Sequence, residues 1–217
     1  MILSIFLLPL SLMLMLSFLM LMQTRIINLV KLLIIQNIVL TIYIFFKAYL
    51  YPSFELYLSL IITFIIKVII LPWILLKLVK YLKLVQHIDP LIKRPTLQFV
   101  GILLVIFSLL LAHQIQAVIG PQTIIGFSLA LANSMLALLL IVFRRKSISQ
   151  IIGLLVMENS IFLLSVTLTS GFPWIVELGM GFDILIGFMI FGLFLLRIRA
   201  TYGSLHLQHL EKLRERT

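Results

Sequence analysis

Residues 144–199 read RRKSISQIIGLLVMENSIFLLSVTLTSGFPWIVELGMGFDILIGFMIFGLFLLRIR. Two apolar runs, each long enough to cross a bilayer, lie on either side of a turn at residues 171–173, and basic residues bound the whole stretch. Each run carries a carboxylate near its middle, Glu158 in the first and Asp183 in the second. Carboxylates at the bilayer centre are rare and usually belong to a proton or ion path. These two residues therefore carry the first functional hypothesis.

The composition indicates a membrane protein. Of the 217 residues, 63% are hydrophobic and the mean hydropathy is +1.25, whereas soluble domains are about half apolar and about a quarter charged. The absence of cysteine excludes disulfides, thiolate metal sites and a cysteine nucleophile, and the four histidines are too scattered for a metal site. We therefore expect no metal site in this chain. The net charge of +10 lies beside hydrophobic spans, so its expected partner is the lipid bilayer and not a nucleic acid.

The fold class predicted from these patterns is all-α, a polytopic membrane protein of about seven transmembrane helices. At about 20 residues per span, the helices fall at residues 2–22, 26–50, 54–79, 97–118, 123–143, 147–169 and 174–196. The first run lacks a basic n-region and a small-residue cleavage site, so we expect a transmembrane helix there and not a signal peptide. Residues 1–199 then form one transmembrane domain, and residues 200–217 form a tail.

The distribution of lysine and arginine predicts the orientation. With seven spans, almost all of these residues fall on one side of the membrane, and the opposite side has only Lys47. The positive-inside rule then places the N-terminus outside and the C-terminus in the cytoplasm. For the cytoplasmic tail, a solvated end that contacts lipid headgroups is the preferred interpretation, and docking onto a partner remains the alternative.

Four polar groups are predicted to share one layer near the middle of the bilayer. A rise of about 1.5 Å per residue places Glu158, Asp183 and Lys67 each about 20 Å from the nearest basic residues of the cytoplasmic side, and Gln36 about 17 Å from them. Insertion of an aspartate or lysine at this depth costs about 2.5–3.5 kcal/mol, so these groups should face the interior of the bundle. The predicted ion path comprises Glu158, Asp183, Lys67, Glu177, Gln36 and Asn159.

Most of these residues also have a structural interpretation. Lys67 could extend its long side chain to an interface, and Glu158 and Asp183 could each make a buried structural hydrogen bond. For Gln36, a neutral hydrogen bond between helices is the preferred interpretation. Glu177 is favoured near a helix N-terminus by the helix dipole, as an exit group or as an interfacial anchor.

Proline 72 predicts an irregularity in the third helix. Pro72 has no N–H to donate to the carbonyl of Val68, so we expect a kink just beyond Lys67.

A weak internal repeat relates the two halves of the chain. Residues 25–37 resemble residues 145–159, since each segment begins with an arginine and reaches a polar pair ending in asparagine three to four turns later. The chain then consists of two parallel three-helix repeats, 1–80 and 121–199, joined by the fourth helix. Membrane transport proteins often place their sites where such repeats meet.

At several of these positions the sequence resembles the hydrogenase-4 component E family. The matching residues are Arg145-Lys146, Gln150-Ile151-Ile152-Gly153, Met157-Glu158-Asn159, Glu177, Asp183, Lys67-Val68 before Leu71-Pro72, and Thr201, Gly203, Ser204 and Leu205. The last three predicted helices are also similar to subunit K of NADH-quinone oxidoreductase, which has two membrane carboxylates on adjacent helices. Asp183 matches the second of these. At the position of the first, this chain has Leu155, and Glu158 lies about one turn later.

The resemblance implies a non-catalytic membrane subunit, without a cofactor of its own, of a group 4 [NiFe] hydrogenase or formate hydrogenlyase complex in a prokaryotic cytoplasmic (inner) membrane. Its partners would be antiporter-like and other membrane subunits together with the hydrogenase subunits, which hold the metal clusters. This type of subunit would help to couple redox chemistry to proton or sodium movement. Two alternatives remain open, a subunit of a multisubunit cation/proton antiporter and a purely structural membrane subunit.

Overall fold

A computed structural model describes residues 2–81, 93–119, 123–144, 147–168 and 179 of the 217. The chain divides into a unit Met1–Gly179 and a unit Met180–Thr217, and all described residues belong to the first. Apart from Gly179, the predicted seventh helix and the tail lie outside the described residues.

The described part is helical, which confirms the all-α class. Its α-helices are α1 (Ile2–Met22), α2 (Ile26–Leu50), α3 (Phe54–Thr63), α4 (Leu71–Tyr81), α5 (Arg94–Ile119), α6 (Ile124–Val142) and α7 (Ser147–Leu168). Five helical segments are long and apolar enough to cross a membrane: Ile26–Leu50, Phe54–Lys77, Arg94–Gln116, Ile124–Val142 and Ile148–Leu168. The part of α1 from Phe6 to Met22 is apolar but shorter. The chain is therefore membrane-embedded.

Helices α1, α2, α6 and α7 pack around one another, and their directions alternate. The C-terminal end of α1 lies against Arg144, which follows α6, so α1 and α6 run in the same direction. Lys47 near the end of α2 contacts Val166 near the end of α7, so these two helices are also parallel to each other. We call the two ends of the bundle the Arg144 end and the Lys47 end.

Small residues allow α6 and α7 to approach closely. A Cβ atom added at Gly153 of α7 would lie 2.8 Å from Cγ1 and 3.1 Å from the backbone nitrogen of Ile141. A Cβ added at Gly126 of α6 would lie 2.5 Å from Cγ2 of Thr167. Glycine at such positions lets helix backbones meet in a membrane, where dispersion contacts drive association.

The predicted third helix consists of three consecutive segments. It begins at Ser53, whose side chain accepts a hydrogen bond of 3.3 Å from the backbone N–H of Leu56. Between α3 and α4 lies a π-helical segment, Phe64–Ile70, in which hydrogen bonds span five residues. The sequence predicted a kink just beyond Lys67, whereas the irregular segment contains Lys67 itself.

Candidate functional site

The centre of the bundle holds a buried ion pair. Nζ of Lys67, in the π-helical segment, lies 3.4 Å from Oε1 of Glu158 in α7. The two residues are only 1% and 4% exposed, so neither side chain reaches the surface. Extension of Lys67 to an interface, one of the two interpretations open from the sequence, does not occur in this structure.

An aromatic ring lies beside this ion pair. The Lys67 ammonium also lies over the ring of Phe162, 4.7 Å from its centroid, and Phe162 is one turn beyond Glu158 on α7. The second carboxylate oxygen of Glu158 is buried and accepts no hydrogen bond from the described residues. The separation of 3.4 Å exceeds the roughly 2.8 Å of a charge-assisted hydrogen bond. The two charged groups are thus within ion-pair distance of each other.

Two asparagines connect the pair to α2. Nδ2 of Asn159, the residue after Glu158, donates a 2.6 Å hydrogen bond to Oδ1 of Asn37. Nδ2 of Asn37 in turn donates a 2.6 Å bond to the backbone carbonyl of Lys67. These two hydrogen bonds connect Glu158 to Lys67 through neutral amides. They therefore join α2, α7 and the π-helical segment.

A second chain of polar groups runs beside the first. Gln36 Nε2 donates a 3.0 Å bond to Ser17 of α1, and the Ser17 hydroxyl donates to Oδ1 of Asn133 in α6. Asn133 Nδ2 then donates a 2.7 Å bond to Ser160 of α7, which donates to the carbonyl of Val156. Gln36 therefore makes the neutral interhelical hydrogen bond that was its preferred interpretation.

The structure brings Lys67 and Glu158 into contact and connects Asn159 to them through Asn37, whereas Gln36 belongs to the second series of hydrogen bonds. The other two predicted site residues, Glu177 and Asp183, lie outside the described residues. Sequence reasoning used Asn37 only in the internal repeat and did not place Asn37, Ser17 or Phe162 in the site. The distance along the helix from the basic residues, which located Gln36, could also have indicated Asn37. Serine and phenylalanine are too common in membrane helices to mark a site.

Arg144 closes the bundle at one end. Its guanidinium donates to the carbonyls of Gln23, Met20 and Leu21, at 2.7, 2.8 and 3.1 Å, and the side chain is 1% exposed. These carbonyls belong to the end of α1, where backbone acceptors lack partners within the helix and attract cations. Burial, together with the positive charge of Arg94, lowers the pKa of Arg144 to about 10, so the group stays protonated at neutral pH.

Lys47 makes a similar contact at the opposite end. Its ammonium donates to the carbonyl of Val166 in the last turn described of α7. Tyr43, one turn earlier on α2, lies with its hydroxyl 3.4 Å from that of Thr167. These residues border a half-open cavity of about 540 Å³ whose other walls come mainly from α1 and α6.

Comparison with known proteins shows one similarity. The chain is 27% identical over 151 residues, 69% of its length and 69% of the relative's, to the uncharacterized protein Rv0085 of Mycobacterium tuberculosis. No family profile matches the chain, and no solved structure matches it.

Proposed function

We propose that this protein is a non-catalytic membrane subunit of a redox complex, in which the Lys67–Glu158 pair is a station on a proton or sodium path. The observation that carries the proposal is the ion pair itself, buried inside a membrane-embedded bundle with one carboxylate oxygen unpartnered by the described residues. Ionisable groups in such positions are expensive and usually functional.

The chemistry of the pair suits a transient proton carrier. A buried carboxylate and ammonium stabilise each other only while both are charged. A proton that reaches Glu158 neutralises its carboxylate and weakens the attraction that holds Lys67 at 3.4 Å. The pair therefore has two arrangements, closed when both groups are charged and open when one is neutral. Asp183, on the predicted seventh helix, is proposed as a further carboxylate of the same path.

The arrangement of charges supports the predicted seven-span topology and its orientation. Arg144 contacts the carbonyl of Gln23 and lies close enough to Arg94 to feel its charge, so the ends of α1 and α6 and the start of α5 share one side. We propose that this side faces the cytoplasm of a prokaryotic cell, as the positive-inside rule requires.

The contacts between helices also support the proposed parallel repeats. In the proposed repeat, Asn37 corresponds to Asn159, and these two side chains form a hydrogen bond. The corresponding helices, α1 with α6 and α2 with α7, are parallel within each pair. The ion pair then lies where the two repeats meet, which is a common position for sites in transport proteins.

Within this class, we propose the group 4 [NiFe] hydrogenase or formate hydrogenlyase complexes, because of the resemblance to hydrogenase-4 component E. Purification of the tagged protein from its host membranes tests which kind of complex contains it. Recovery of a nickel-containing large subunit is the expected result. Recovery of antiporter subunits without a nickel protein would instead establish the cation/proton antiporter alternative.

The function of the pair is tested with three variants in the assembled complex, Glu158→Gln, Lys67→Met and the double variant. Removing one partner of a buried pair costs about 3–5 kcal/mol, whereas replacing both with neutral groups is often tolerated. We expect the double variant to assemble and keep its redox turnover while losing ion translocation into vesicles. Unchanged translocation in the double variant would contradict the proposal.

A purely structural role is the second candidate, and the chain from Gln36 through Ser17 and Asn133 to Ser160 favours it. This chain consists of neutral groups joining four helices, as a scaffold would need. If the structural role is the whole function, the double variant should translocate normally, and Asn133→Leu should prevent assembly.

A further inference from the structure

The π-helical segment changes which backbone carbonyl Pro72 leaves without a donor. In this segment the N–H of Leu71 donates to the carbonyl of Ile66, five residues earlier. The next bond in the same register would join residue 72 to the carbonyl of Lys67, but proline has no N–H. An α-helical register would have left the carbonyl of Val68 unsatisfied instead. The π register therefore moves the unsatisfied acceptor onto the residue that forms the ion pair.

Asn37 supplies the donor that Pro72 lacks. Its Nδ2 lies 2.6 Å from the Lys67 carbonyl oxygen, and its own Oδ1 accepts from Asn159 at 2.6 Å. Asn37 is buried, so water does not compete for these bonds. A buried carbonyl requires a partner, and this one receives it from another helix.

The π register sets the direction of the Lys67 side chain. With 3.6 residues per α-helical turn, a change of register by one residue rotates a side chain by about 100° around the helix axis. Such a rotation would turn Lys67 away from Glu158 and Phe162, which now lie 3.4 and 4.7 Å from its ammonium. Retaining the π register is thus a condition for the ion pair in its observed form.

We propose that Asn37 is a positioning residue for the ion path: by replacing the N–H that Pro72 lacks, it holds the π register that directs Lys67 to Glu158. The inference rests on the proposed function of the pair. It assigns paired roles to two residues, Asn37 and Pro72, that do not carry charge and do not move the ion.

The test compares ion translocation per redox turnover in assembled, vesicle-reconstituted complexes carrying Asn37→Leu, Pro72→Ala or both. Asn133→Leu is the matched control, because Asn133 is also a buried amide hydrogen-bonded to α7, where its Nδ2 donates to Ser160 and not to the ion pair. We expect Asn37→Leu to lower translocation about tenfold and Asn133→Leu less than about twofold. Because alanine at position 72 restores an N–H, the double variant should return to within about twofold of Pro72→Ala alone.

The outcomes separate this inference from the proposed function. If Glu158→Gln abolishes translocation but Asn37→Leu behaves like Asn133→Leu, the positioning role is wrong and the ion path stands. If Asn37→Leu fails to assemble, recovery of assembly in the double variant supports the inference. Failure of the double variant where Pro72→Ala alone assembles contradicts it, since the restored N–H should satisfy the Lys67 carbonyl without Asn37. If Glu158→Gln has no effect, the proposed function itself fails.

Discussion

Asn159 donates a 2.6 Å hydrogen bond to Asn37 across 122 residues of sequence, and the two asparagines hold corresponding positions in the proposed repeats. The bond therefore joins equivalent points of the two proposed repeats. Asn37 also donates a hydrogen bond to the backbone carbonyl of Lys67, so the same side chain connects the proposed repeats to each other and to the ion pair.

The first prediction concerns this bond. Asn159→Leu leaves Oδ1 of Asn37 buried without its donor, and an unsatisfied group of this kind costs about 1–3 kcal/mol. We expect a loss of that size in the free energy of unfolding, measured by denaturant titration in detergent micelles. In the presence of Asn37→Leu the same change should cost at least about 0.5 kcal/mol less, because the acceptor is gone. Additive costs would show that the bond contributes nothing.

The second prediction concerns Arg144. Arg144→Lys keeps the charge but loses the planar fork that reaches three carbonyls of the α1 end, so we expect a loss of about 2 kcal/mol or more. Arg25→Lys is the matched control, since Arg25 is exposed and lies at the same end of the bundle. Thermal unfolding of both variants checks the expectation. Equal melting temperatures would mean that the charge alone suffices.

The third prediction concerns the close contact between α6 and α7. Gly153→Ala places a methyl group 3.1 Å from the backbone nitrogen of Ile141, which cannot move without shifting the helix, so we expect a loss of about 1–3 kcal/mol. At Gly101 the nearest atoms are the ends of the Leu136 and Phe18 side chains, also at 3.1 Å, and these can rotate away. Gly101→Ala should therefore cost less than half as much in the same unfolding assay.

The fourth prediction concerns the aromatic ring beside the ion pair. Phe162→Leu removes the aromatic ring that contacts the Lys67 ammonium. This cation–π interaction contributes up to about 2 kcal/mol in a desolvated site. The substitution also leaves a small void. In the Lys67→Met, Glu158→Gln background only the void remains. We expect Phe162→Leu to cost about 1–2 kcal/mol less there. An equal cost in both backgrounds would assign the whole effect to packing.

Much of the fold follows from the sequence because apolar length is a strong signal. The predicted bounds of the first two helices match α1 and α2, and those of the fifth and sixth differ from α6 and α7 by one residue at most. The start of α5 is three residues earlier than predicted, at Arg94. Helix ends of this kind depend on individual backbone hydrogen bonds, which hydropathy does not report.

The site was predictable only in part. Depth along each helix placed Glu158 and Lys67 at one level, but rotation about the helix axis decides which side chains meet. The π-helical segment sets that rotation for Lys67, and its register depends on a donor from α2 that no local pattern reveals. The position of Pro72 indicated an irregularity without fixing which carbonyl it would leave free.

The bonds from Arg144 to the end of α1 also constrain how the chain is made. Arg144 follows the carbonyls of Gln23 and Met20 by 121 and 124 residues. At a synthesis rate of about 5–20 residues per second, the nascent α1 waits roughly 6–25 s for the side chain that completes its end. During that interval α2, α3 and α5 have already left the ribosome. The closing of the bundle around α1 is therefore a late event in biosynthesis, reached only when the turn between α6 and α7 emerges.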